Sequence, residues 1–282
     1  MVLESLVVPE EWEKHPSKMF FIGFLYASIG LFFGLTVFSG YASIAAVFLT
    51  TMPLIVIMYK AIVLEEQQDL ECEGRNLWCI YKTHGRIISF FMYLFIGLVV
   101  AYSFWFTVLS PDVSARAFEA QLATIEAINN PMSGAFIDPN SAVFDIWSNN
   151  LRVLFFAILF SFLYGAGAIF ILTWNASVIG VAVGSVGRRV LEKSAGSANL
   201  YFDYFSTYSV SFSYAIHGLP EIAGYFLGAL AGGIISVAVV NHDYKSPEFK
   251  KIVLDSLELF LASILLLLVS GILEVYVTPG FH

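Results

Sequence analysis

His217 and Glu221 are the two residues of this chain whose types and spacing most invite chemistry. They bracket Gly218, Leu219 and Pro220, and no other Asp, Glu, Lys, Arg or His occurs between Tyr204 and Val240. An imidazole beside a carboxylate is an acid–base pair in principle. A structural reading competes with that one. Gly218 can end one helix and Pro220 can occupy the first turn of the next, where its missing N–H costs nothing. Glu221 then faces the positive end of that helix. This explains Gly218, Pro220 and part of Glu221, but not His217. An ionisable group at membrane depth is costly and marks a functional site by default, with Glu221 as its partner here. The two readings stand level.

Other polar residues lie at the edges of apolar runs. Asn149, Asn150 and Arg152 open one of them, where Asn serves as an N-cap and Arg snorkels to the interface. Asn175 opens another. Together Asn150, Asn175, His217 and Glu221 are candidates to line a polar cavity between half-helices, and Gly218 and Arg152 count with them as residues of the polar site. No HExxH, GxSxG, Walker A or paired intramembrane Asp occurs. His84 and His242 fall in loops, leaving His217 short of further metal ligands. No catalytic residue, metal or cofactor is predicted.

Small residues recur every four positions at Gly224, Gly228 and Gly232, at Gly180 and Gly184, and at Gly30 and Gly34. In lipid, such faces let helix backbones approach closely. They predict internal packing, or a homodimer seam on the same physics.

The elements that must position these residues are membrane helices. Hydrophobic residues make up 58% of the 282 and charged residues 13%, against about 25% charged in an ordinary globular chain. No water-soluble surface can be built from so few charges, so the fold expected is an all-α transmembrane bundle in one membrane domain over residues 1–282. The lipid bilayer is its first partner. The net charge of −8 and the lack of a Lys/Arg run exclude a nucleic-acid footprint. Cys72 and Cys79 fit neither a CxxC motif nor a disulfide framework. Residues 1–18 are rich in Glu, unlike a signal peptide, and are expected to stay cytoplasmic.

Spanning a bilayer core takes roughly 20 apolar residues. Six runs qualify: Met19–Phe38, Tyr41–Val63, Ile87–Leu109, Leu151–Thr173, Leu219–Val240 and Val253–Val277. Pro53 is expected to kink the second, and Glu258 and Glu274 to reach water near the ends of the last. Asn175–Gly187 is short and reads as a re-entrant or broken segment. Asn199–His217 is long enough to be a seventh crossing. With that crossing and a cytoplasmic N-terminus, 12 of the 14 Lys and Arg fall inside, leaving Arg116 and Arg152 outside. With six crossings the split is 9 to 5, so seven is preferred. The loop at residues 110–148 lies outside on either count. Within it Ala115–Ile128 reads as an amphipathic helix, with Phe118, Leu122, Ile125 and Ile128 on one face. It suits a membrane surface or the top of the bundle.

At HGLPEIAGYFLGALAGG the sequence resembles the stage II sporulation protein M family of membrane proteins. The resemblance rests on Asn149–Asn150, on Asn175 with Gly180 and Gly184, and on His217, Gly218 and Glu221, and it covers Asn149 to Val240. PSKMFFIGFLYASIG looks like the archaeal branch. In spore formers the resemblance implies a scaffold that gathers cell-wall hydrolases at the engulfing membrane; the long loop and the acidic Glu65–Glu73 stretch depart from the pattern. The function expected is therefore a non-enzymatic scaffold of the plasma membrane that binds other envelope proteins. A small transporter or channel built around His217 and Glu221 is the alternative, and an acid–base enzyme a third.

Overall fold

The structure is a computed structural model that describes residues 15–71, 77–129, 139–164, 167–193 and 215–277. Those residues form α1 (Lys18–Val37), α2 (Ala42–Glu71), α3 (Leu77–Val108), α4 (Pro111–Ala117), α5 (Glu119–Asn129), α6 (Pro139–Tyr164), α7 (Ala168–Lys193), α8 (Ala215–Asn241) and α9 (Pro247–Ile272). A π-helical turn, Leu273–Val277, continues α9, and no strand occurs among the described residues. Seven of the helices are long and apolar enough to cross a membrane. The chain is an all-α polytopic bundle.

The seventh span among the described residues is not drawn from Asn199–His217. Residues 199–214 lie outside the described residues, and Ala215–His217 belongs to α8. It comes instead from a division of Leu151–Thr173. That run ends at Tyr164, and a new helix starts at Ala168 after Gly167. The signal was Gly165 and Gly167, helix breakers inside an otherwise apolar run. Asn175–Gly187 then falls in the middle of α7, so the re-entrant reading is corrected: thirteen residues looked short because their flanks were assigned elsewhere. Pro53 lies inside α2.

Small residues fix the directions of the helices. Gly180 faces Val99 and Tyr102, Gly184 faces Ser103 and Phe106, and Arg188 reaches the ends of the same turns, so α7 runs parallel to α3. Gly23 and Gly97 bring α1 and α3 into backbone contact, and Gly30 and Gly34 do the same for α1 and α2. On the other side, Ser270 Oγ donates to the His217 carbonyl (2.9 Å) and Gly224 packs on Leu267 and Ser263, making α8 and α9 an antiparallel pair. Gly228 and Gly232 meet Leu154 and Ile158, and Trp147 meets Gly271, so α6 runs parallel to α8. The three-residue link from α6 to α7 makes those two antiparallel. Hence α4, α5, the end of α7 and the start of α8 share one end of the bundle.

This placement overturns the charge count. With α7 crossing, Arg188, Arg189 and Lys193 lie opposite Lys245, Lys250 and Lys251, and the division of the 14 becomes nine to five. Arg188 is no loop residue at all. Its guanidinium donates to the carbonyls of Phe106 and Leu109 (2.6 Å to the latter) and lies 4.7 Å from the Phe106 ring. A cation on the last carbonyls of α3 answers both its orphan acceptors and its dipole. Cysteines placed at Glu192 and Ser246 are expected to label from opposite sides of the membrane. Labelling from one side would restore the re-entrant segment.

The amphipathic segment is two helices, not one, and it neither lies on the surface nor merely covers the bundle. Phe118, at the break, is buried against Tyr102 and Phe106 with ring centroids 6.3 and 5.5 Å away. Gln121 is buried and its Nε2 donates to Ser177 Oγ (3.1 Å). Ser177 lies eleven residues before Arg188, roughly 16 Å along α7 at 1.5 Å per residue. The α4–α5 pair thus enters the bundle from its end.

Candidate functional site at the start of the central helix

α8 is the most enclosed span, with 78% of its most apolar stretch buried inside the bundle. Small residues let α6 and α9 close on it. Gly224 and Gly228 both meet Ser263 of α9, the middle member of a buried series, Ser256, Ser263 and Ser270, spaced seven residues apart. Sequence reading passed over these serines because no charge or motif marks them; their heptad spacing was the available signal. Each glycine of the ladder thus meets a neighbouring helix of the same chain.

HGLPE is not a helix break. His217, Gly218, Pro220 and Glu221 all lie inside the continuous helix Ala215–Asn241. Pro220 sits early enough that only the Ile216 carbonyl loses its helical donor. The consequence is geometric. His217 and Glu221 do not flank a turn; they stand one helical turn apart on the same face. Tyr225, a further turn on, donates its hydroxyl to Glu221 Oε1 at 2.9 Å. The π turn after α9 packs against α8 and brings the Glu274 carboxylate near enough to act on Glu221 and Tyr225. Glu274, expected simply to reach water, belongs to this cluster. The missing signal was tertiary: nothing in the sequence pairs residue 274 with residue 221.

A different side of the helix start is open. A side chain at Gly218 would meet nothing within 4 Å, Leu219 is exposed, and His217 is half-buried. Gly218 therefore has no packing duty of the kind that Gly224 has.

The other predicted members scatter. Asn149 and Asn150 lie well inside α6, which starts at Pro139, so neither caps it. Asn150 is buried one turn before Leu154, facing α8, and its Nδ2 has no hydrogen-bond partner among the described residues. Arg152 points away from the bundle and is exposed. Asn175 is within α7, where its Nδ2 donates to the Ile171 carbonyl (3.0 Å) of its own helix. It does not join Asn150, His217 and Glu221, because α7 packs chiefly on α3. The four-residue cavity is not assembled. No group of three or more His, Cys, Asp or Glu among the described residues is placed to hold a metal.

Fold and site together define a multi-pass membrane protein whose central glycine-rich helix carries a His-Gly-x-x-Glu face at one end. The sequence matches the family described as Stage II sporulation protein M over residues 87–279, and the chain belongs to that family. The match extends beyond Asn149–Val240 to include α3 and α9. The uncharacterized protein MJ0793 of Methanocaldococcus jannaschii is 29% identical over 137 residues, covering 48% of this chain and 69% of that protein, which supports an archaeal-type member. No solved structure matches the chain.

Proposed function

We propose that this protein is a non-enzymatic scaffold of the plasma membrane, with a cytoplasmic N-terminus, whose α8 entrance binds other envelope proteins. One observation carries the reading. Glu221, Tyr225 and the Ser270 contact lock the start of α8 from behind, while Leu219 is exposed and nothing within 4 Å would meet a side chain at Gly218. A bare backbone beside an imidazole and an exposed leucine suits contact with a protein surface, where close approach and a few polar groups decide fit. The nine-to-five division of basic residues supports placing the Lys245–Lys251 end in the cytoplasm. The open face then looks outward. Transport through this site finds less support, since Asn175 is spent within its own helix.

Photocrosslinking in cells tests the proposal. A photoreactive residue at Leu219 is expected to capture a discrete envelope protein, and His217→Ala to reduce that adduct several-fold. The same residue at Leu265, on the lipid-facing side of α9, is expected to capture none. Equal adducts at both positions would count against a specific partner face.

A further inference from the structure

Arg152 sits where a lipid-facing residue should not be charged. α6 is the least enclosed of the spans, with 22% of its apolar stretch buried. Leu154 and Ile158 pack on Gly228, near the midpoint of α8, so Arg152 lies within about one helical turn of the bundle's mid-height. Its side chain points outward and meets no partner among the described residues. Charged residues in spans face the bundle interior or a polar partner almost without exception.

The surroundings of Arg152 are ordered. Asp145, Ser148, Arg152, Phe156 and Phe160 recur at helical spacing along one exposed stripe. Phe156 stacks on Phe160 (6.3 Å, 27°) and Phe160 on Tyr164 (6.2 Å, 24°), forming a continuous aromatic ladder on the outside of the bundle. Asp145 is likewise exposed, two helical turns before Arg152.

We propose that this stripe is a homodimer seam, with α6 of one copy against α6 of a second. Copies inserted in one membrane share an orientation, so a closed pair has its two-fold axis along the membrane normal and its α6 helices run parallel. The aromatic ladders meet at the crossing, stacking Phe156 and Phe160 of each copy on the other. Above the crossing the helices diverge. Helical side chains lean toward the N-terminus, which directs each Arg152 up toward the Asp145 of the partner. The stripe is thus complementary to itself: one acid and one base on each copy give two reciprocal pairs. A second copy satisfies Arg152 without any other protein, so the inference stands apart from the scaffold reading.

Disulfide crosslinking in native membranes tests this, in a Cys72→Ser/Cys79→Ser background. Phe160→Cys is expected to give a covalent dimer, and Leu265→Cys on α9 none. Adding Arg152→Asp or Asp145→Arg is expected to lower the dimer yield several-fold, and the two together to restore it. Phe160→Cys crosslinking no better than Leu265→Cys would overturn the seam. An unchanged yield with Arg152→Asp would overturn the ion pair and assign Arg152 to lipid headgroups. Failure of the double variant to recover would overturn the pairing with Asp145. Should a charge variant not fold, the mass of the unaltered protein in nanodiscs decides: twice the 31.2 kDa chain mass is expected, and a monomer contradicts.

Discussion

Gly97→Ala is expected to destabilise the protein severely, while the same change at Gly218 is expected to stabilise it. A Cβ at Gly97 would land on the carbonyl, carbonyl carbon and Cα of Phe20 in α1. Those are backbone atoms, so relief requires α1 and α3 to separate. Overpacking costs typically about 1–3 kcal/mol and sometimes more, and a backbone obstacle belongs at the top of that range. Replacing glycine with alanine in a helix contributes about 1 kcal/mol in the other direction. Packing wins at Gly97. At Gly228 the nearest obstacle is Leu154 Cδ1, the tip of a side chain that can turn aside; there the two terms are comparable and the change is close to neutral. At Gly218 nothing opposes the helix preference, leaving a gain of roughly 0.5–1 kcal/mol. Thermal melting of the three variants in one detergent reads the order directly. Gly97→Ala melting with the unaltered protein would mean that α1 and α3 are not packed as described.

The second large effect concerns Tyr225 and Glu221. Tyr225 is buried and donates to Glu221 Oε1. Tyr225→Phe removes the donor and leaves a largely buried carboxyl without its partner, which costs about 1–3 kcal/mol. Glu221→Leu leaves the buried hydroxyl short of an acceptor at a similar cost. The double variant removes both groups and should cost less than the sum of the two, since in-contact residues couple by about 0.5–3 kcal/mol. Additive losses would show that the hydrogen bond contributes nothing. Tyr225 is a partner of Glu221 that the sequence reading did not name.

Much of this bundle was legible from composition and length. Apolar runs near 20 residues found five of the seven spans outright, since a bilayer imposes that length whatever the packing. The four-residue glycine spacings pointed to faces that the structure places against α2, α3, α6 and α9. What failed was division and direction. Leu151–Thr173 met the length criterion while hiding a helix end at Tyr164, because Gly165 and Gly167 are as apolar as their neighbours. That one misplacement made Asn175–Gly187 look re-entrant, made Asn149–Asn150 look like caps, and assigned Arg188 to a loop. His-Gly-Leu-Pro-Glu read as a break because glycine and proline both end helices in water. Early in a packed membrane helix only one carbonyl is left without its donor, and the helix continues. The Glu274 and Ser270 contacts were beyond reach, as nothing local in a sequence records which helices meet.

The enclosed body of α8 is sealed behind an exposed lip at its start. Thiol accessibility tests it most directly. With Cys72→Ser and Cys79→Ser as background, cysteines at Asn150 and Ala231, both buried, are expected to resist a small charged methanethiosulfonate reagent added from either side. A cysteine at Leu219 is expected to react rapidly from one side alone. Reaction at Asn150 and Ala231 at rates approaching that at Leu219 would put a water path through the bundle and contradict the scaffold.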